Sequence, residues 1–199
     1  MSILKKTATY HHGNLKQELI TAALTLLDEQ GIDGVGIRQV ARAVGVAHSA
    51  PANHFKNKQA LYTALATESF AGLLQTLQTQ LTEGLGPEKS IHVFCQCLLN
   101  FALDHPHRYS LMWRKDCVNA GDSALMAAME AVYQRLLSVL AKQAQQKRVD
   151  VESQAIAVWS LIHGYVSLRL DGNLGTGRDA VTGAERSSAI VDVLLEGLI

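Results

Sequence analysis

Apolar residues recur at helical spacing along nearly the whole chain, and no stretch shows the strict alternation of a half-buried strand. Leu15, Leu19, Ala22, Ala23, Leu26 and Leu27 share one face of a first helix, which Asn14 is placed to cap, with Gln17 three residues on, and which Gly31 ends. Asp33-Gly34 marks a turn. Ile37, Val40, Ala41 and Val44 form the apolar face of a short helix, and Gly45 sits where it must stop. A second short helix is predicted from about His48 to Phe55, then a long one from Lys58 to about Glu83, of a length suited to a connector. Gly84, Gly86 and Pro87 separate it from a helix carrying Ile91, Phe94, Cys95, Leu98, Leu99 and Ala102, which His105-Pro106-His107 breaks. Beyond lie a short helix over Tyr109 to Trp113, a long helix capped by Asp122, and another from about Val151 to Leu170. A polar, Gly-rich loop over 171–184 precedes a last helix from about Ala184 to Leu198. The fold class expected is all-α.

Gly31 to Leu61 is the most informative stretch. Two short helices joined by a tight turn containing Gly form a helix-turn-helix pattern, whose second helix enters the DNA major groove while the first braces it across the backbone. The same residues resemble the N-terminal DNA-binding domain of TetR-family transcriptional regulators. The matching residues are Ile37-Arg38-Gln39-Val40-Ala41, Gly45-Val46, His54-Phe55 and Lys58-Gln59-Ala60-Leu61. Tyr10-His11-His12-Gly13-Asn14-Leu15-Lys16 resembles the lead-in of one branch of that family. Trp159-Ser160-Leu161-Ile162-His163-Gly164 resembles a Trp-x-x-x-His-Gly helix in its C-terminal domain. The resemblance implies an N-terminal three-helix DNA-binding domain, here residues 1–57 with its arm, and a larger helical effector-binding and dimerisation domain over 58–199.

Zero net charge over 199 residues argues at first against a nucleic-acid binder. The distribution answers that: residues 1–66 hold seven Lys and Arg against four Asp and Glu, a net +3, and the remainder eleven against fourteen, a net −3. A basic end on an acidic body suits a protein that touches DNA with one end. Three cysteines, Cys95, Cys97 and Cys117, show no framework spacing and fit reduced thiols in a cytoplasmic setting. Neither a signal peptide nor a membrane span is expected.

The candidate DNA contacts are Arg38, Ala47, His48, Ser49, Ala50, Asn53, His54, Lys56 and Lys58, with Arg42 beside them. His48 and Ser49 are best placed for base edges, and Asn53, His54 and the cations for phosphates. Family members commonly carry a hydroxyl cap where Ala47 stands and a phosphate-touching Tyr where Ala52 stands; both are absent. Gly36 likewise replaces the usual Ser or Thr cap. The plainer alternative for His54 and Phe55 is packing between helices.

In the body, Phe94, Cys97, Phe101, Met112, Trp113, Met126, Met129, Tyr133, Trp159 and His163 are candidate walls of the effector cavity that the resemblance implies, since Met and aromatic side chains make adaptable apolar walls. Each taken singly is better explained as core; only as a group do they suit a cavity. His163 is either a polar ligand anchor or a buried histidine bonded to a backbone carbonyl, and the second is preferred. Ser153, Ala157, Ser160, Gly164 and Ser167 form a small-residue stripe that admits close approach of another helix. Candidate dimer contacts are therefore Ala157, Ser160, Gly164 and Ser167, with Ile190, Val191, Leu194 and Leu198 on the last helix; the alternative is that both neighbours come from the same chain.

Two other patterns are set aside. Gly172 to Gly177 has the spacing of a phosphate loop but follows a helix and lacks the Lys-Ser/Thr. His92, Cys95, Cys97, His105, His107 and Cys117 show no standard zinc spacing. No cofactor, metal or catalytic set is expected. The reading is a homodimeric DNA-binding regulator on a palindromic operator in double-stranded DNA, most simply a repressor released by a small, largely apolar effector. Its rivals are an activator or architectural protein without effector, and an enzyme built on the C-terminal body.

Overall fold

The computed structural model of the protein describes residues 14–198, and among these all regular structure is helical. The helices are α1 (Leu15–Gln30), α2 (Ile37–Val44), α3 (Lys58–Gln80), α4 (Pro87–Asp104), α5 (Pro106–Met112), α6 (Ser123–Lys147), α7 (Val151–Leu170) and α8 (Arg186–Leu198). Short 3₁₀ turns lie at Ile32–Gly34 and Ala50–Asn53. The arm at 1–13, including the Tyr10-His11-His12-Gly13 lead-in, and the side chain of Leu198 lie outside the described residues.

Local sequence sets most helix boundaries. Asn57, Asp122 and Asp150 have extended ψ, so their side chains accept from Ala60 N–H, from Ala124 and Leu125 N–H, and from Ser153 N–H. Asn14, expected to do the same, has ψ 5° and makes no side-chain cap bond. With its backbone already turned towards helix, its carboxamide does not reach the free amides. Pro106 starts α5 as N1, where its missing N–H costs nothing. α3 stops short of Glu83: Leu81 leaves the helix with ψ 72° and is buried, and Arg135 Nη2 donates to its carbonyl at 3.1 Å.

A single continuous apolar core runs from α1 (Leu19, Ala23, Leu27) through α3 (Leu61, Leu65, Phe70, Leu73) into α4, α6 and α7. α3 is its spine, packing against α1, α4, α5 and α6. The Tyr62 hydroxyl, 2.7 Å from the Ile32 carbonyl, ties the turn after α1 to α3. The division expected at 57/58 thus falls between helices but not between cores. Ser123–Ala141 of α6 is long and apolar enough to cross a membrane by composition. Here its Leu125, Val132, Leu136, Val139 and Leu140 are buried in the helical body.

Candidate nucleic-acid interface and ligand cavity

α2 buries Val40 and Ala41 and leaves Arg38, Gln39 and Arg42 exposed. Gly45 closes it in the left-handed region, φ 76°, where a side chain would be strained. The 6→1 bond from Val46 N–H to the Ala41 carbonyl, 3.0 Å, completes the turn. Gly36 caps the start with backbone alone.

The second helix of the motif is shorter than its spacing predicts. Only Ala50–Asn53 is helical, and it is 3₁₀. Pro51 has no N–H to give the Ala47 carbonyl, which instead accepts from Ala50 N–H at 2.9 Å. Ala47 offers no cap to favour a wider turn. Buried Pro51 and Phe55 anchor the segment to the core. Ala47, His48, Ser49, Asn53 and His54 are thereby exposed, and Ala50 is half-buried. The packing alternative therefore describes Phe55 and not His54. Lys56 and Lys58 are exposed, and the Lys58 ammonium stands 5.1 Å from the Tyr62 ring centroid. His54 and Lys56 also line a polar cleft beside α1 and α3, facing Lys16, Glu68 and Asp122.

In the body, residues of α3, α5, α6, α7 and the 113–122 loop line a partly open cavity of about 650 Å³. Of the expected wall residues, Met112, Trp113, Met126, Met129, Tyr133 and Trp159 line it. Phe94 does not: it is fully buried on α4, in the core. Cys97 and Phe101 instead line a separate groove between α3 and α4, with Thr76 and Gln96. Phe70, Lys115, Val118, Ala120, Leu125, Glu130, Ile156 and Ser160 complete the walls and were not expected there, Ser160 having been read as a dimer contact. Ile156, three residues before Trp159 and four before Ser160 on one helix, was the available signal; the loop residues offered none.

His163 stands behind the cavity rather than in its wall. Its Nδ1 and the Tyr109 hydroxyl form a hydrogen bond of 2.8 Å, a side-chain partner in place of the expected backbone carbonyl. Burial lowers the His163 pKa below its ordinary value and raises that of Tyr109, so both stay neutral near pH 7. Trp113 packs edge-on against Phe70, Trp159 and His163, with centroids 5.9, 5.7 and 5.3 Å away. The same helix α5 reaches the DNA-facing unit: Arg108 Nε donates to Asp28 Oδ1 of α1 at 2.8 Å, its Nη2 contacts the other carboxylate oxygen, and His105 Nδ1 lies 3.7 Å from Asp28.

The expected dimer contacts divide. Ala157 and Ser160 are exposed on α7, with Gly164 and Ser167 half-buried. On α8, Val191 and Leu194 are buried inside the chain, α8 packing on α4, so they are not free to face another subunit. The exposed apolar residue there is Val193, flanked by half-buried Ile190. Among the described residues no three His, Cys, Asp or Glu side chains gather as a metal site. His92 pairs with Asp192 across α4 and α8, and burial pushes the Cys95 thiol up to about 12.

Comparison with known proteins fits both ends. Residues 19–65 match the family model of bacterial regulatory proteins of the tetR family, and residues 91–191 the tetracyclin repressor-like C-terminal domain. An uncharacterized HTH-type transcriptional regulator of Mycobacterium tuberculosis is 24% identical over 79% of this chain and 71% of its own. The class D tetracycline repressor of Escherichia coli is 45% identical over 56 residues, 28% of this chain and only 26% of that protein. A solved structure of a protein of unknown function from Rhodococcus sp. RHA1 superposes with a TM-score of 0.78 at 28% identity, covering 95% of this chain and 97% of that one. The chain belongs to the TetR family, and is a DNA-binding transcriptional regulator. Regulators of this family bind DNA and small-molecule effectors.

Proposed function

We propose that the chain acts in the cytoplasm as a homodimeric repressor, without enzymatic activity, that leaves a palindromic operator when a small, largely apolar molecule enters the cavity between α5, α6 and α7. Residues 1–57, with Lys58 at the start of α3, hold the DNA contacts, and the rest of 58–199 the ligand and dimer surfaces. Arg38, Arg42, Lys56 and Lys58 supply phosphate contacts, while His48 and Ser49, exposed at the tip of the turn, read base edges.

The observation that carries this reading is α5. One of its ends builds the cavity through Met112 and Trp113, and the other holds α1 through Arg108 and Asp28. A ligand that displaces Trp113 pushes on a short helix that packs on α3 and α4 and also holds the first helix of the DNA-facing unit. That gives the differential contact between two states which any ligand-driven release requires.

The experiment is selection of bound duplexes from a random pool, followed by footprinting on the selected site. A two-fold symmetric footprint one or two helical turns long, occupied by two chains, is expected. An asymmetric site bound by one chain would reject the dimeric operator complex, and DNA binding unaffected by any apolar ligand that quenches Trp113 and Trp159 would reject effector release.

A further inference from the structure

The cavity walls are almost wholly apolar. Both tryptophans of the chain, and every methionine after the first residue, stand in them. Such side chains take an apolar body and adapt to its outline. Only two wall residues carry charge, Lys115 from the loop after α5 and Glu130 from α6. Both are exposed, so they stand where the cavity meets water, as Met126 does at its open edge.

The two charges differ in what the chain offers them. The Glu130 carboxylate accepts from Gln134 Nε2, one turn further along α6, at 2.6 Å. The carboxylate next to Lys115 in sequence is Asp116, and Arg114 takes it. Arg114 Nε and Nη2 donate to Asp116 Oδ1 and Oδ2 at 2.8 and 2.7 Å. In this two-point geometry a guanidinium outcompetes an ammonium for a carboxylate. The Cys117 thiol adds a third contact to Asp116 Oδ2, at 3.4 Å. Among the described residues the Lys115 ammonium forms no ion pair, with Glu130 or with any other carboxylate. Arg114 and Asp116 thus neutralise each other and leave one cation in the wall of an apolar cavity.

We propose that the ligand is an apolar acid, its body seated among Trp113, Trp159 and the methionines and its carboxylate held by Lys115 at the open rim. The inference rests on the effector cavity proposed above and names the class of molecule that fills it. A carboxylate at the rim gains a charge-assisted hydrogen bond for which no anion of the chain competes. It also stays partly in water, so binding does not strip its hydration. A cationic end in its place would meet the Lys115 charge and compete with the Gln134 amide for Glu130.

The experiment is a competition among three ligands of one shape. The neutral apolar probe N-phenyl-1-naphthylamine accepts energy from Trp113 and Trp159, and so reports occupancy of the cavity that both line. Bound probe is displaced with 1-naphthylacetate, with its neutral isostere 1-naphthylacetamide, and with the cation 2-(1-naphthyl)ethylammonium. Each is titrated into the full chain and into Lys115→Met, which keeps an apolar stem and removes the charge. The acid should displace the probe about three- to tenfold better than the amide, a modest factor because the pair is partly solvated. That ratio should shrink in molar salt and fall to about one in Lys115→Met. A ratio cancels whatever the substitution does to the apolar part of the wall. The salt dependence is read on the parent chain, so the test stands even where Lys115→Met does not fold. Equal displacement by acid and amide overturns the anionic end while leaving the apolar cavity standing, as does a ratio that survives molar salt or the loss of Lys115. Preference for the ammonium overturns it in favour of Glu130. A chain that transfers no energy to the probe overturns it together with the apolar cavity.

Discussion

At the DNA-facing end, the candidate contacts from Ala47 to Lys58 lie on one short run of chain, nearly all of them exposed. In the body, the cavity walls come from Phe70 on α3, Met112 on α5, Val118 in a loop, Tyr133 on α6 and Trp159 on α7. The first site is built by local turns, with Gly45, Pro51 and Phe55 fixing what the residues between them present. The second is built by helix packing, so no single segment contains it. The difference predicts different responses to mutation. Changes at the DNA end should act one residue at a time, and changes in the body through the relation of one element to another.

The largest expected effect is Gly164→Leu. The open space around Gly164 means the chain itself accommodates the side chain, and Leu is the better helix former by roughly 0.8–1 kcal/mol. Helicity and melting temperature should hold while sedimentation shows a monomer. Affinity for a palindromic duplex should drop about a hundredfold or more as the linkage of two half-sites is lost. An unchanged dimer would remove the α7 strip from the interface.

Next come the single-residue changes at the DNA end. His48→Ala should relax sequence preference by about 1–3 kcal/mol at one base pair. Lys58→Ala should weaken binding to cognate and scrambled duplexes alike and reduce the salt slope by about one. Titrations on both duplexes at two salt concentrations separate them, and equal losses for His48→Ala would make it a backbone contact.

Asp28→Asn tests the link between the two regions. It removes the charge that holds Arg108 and His105 on α1. Both partners are partly solvated, so the stability cost should stay within about 1 kcal/mol. DNA affinity should persist while its ligand sensitivity falls, measured as the probe concentration that halves operator binding. An unaltered ligand response would place the transmission elsewhere than α5.

The smallest effect is the pH dependence of the body. His163 is lowered from its ordinary 6.5, so the unfolded chain takes up a proton that the folded chain resists. The resulting stability is present above about 6.5 and is lost as pH falls through and below that value. His163→Gln should flatten the melting temperature between pH 7 and pH 5, and a slope equal to the parent's would assign it to other groups.

The sequence by itself determined the helical class, the Gly45 turn, the cap at Asp122, and the candidate residues of the DNA-facing turn. All of these depend on interactions within about four residues, where spacing and side-chain chemistry are sufficient. Even there Pro51 shortened the expected helix, because the loss of one N–H changed which carbonyl was paired. Only the tertiary structure decided the rest. Phe94 and Met126 have equal claim by composition, yet one is core and the other cavity edge. Val191 reads as an outward contact until α8 is seen lying on α4. His163 found its partner in Tyr109, 54 residues away. Which side of an apolar helix meets core, cavity or open surface depends on the crossing of several helices, and a pattern along one helix carries no information about the others.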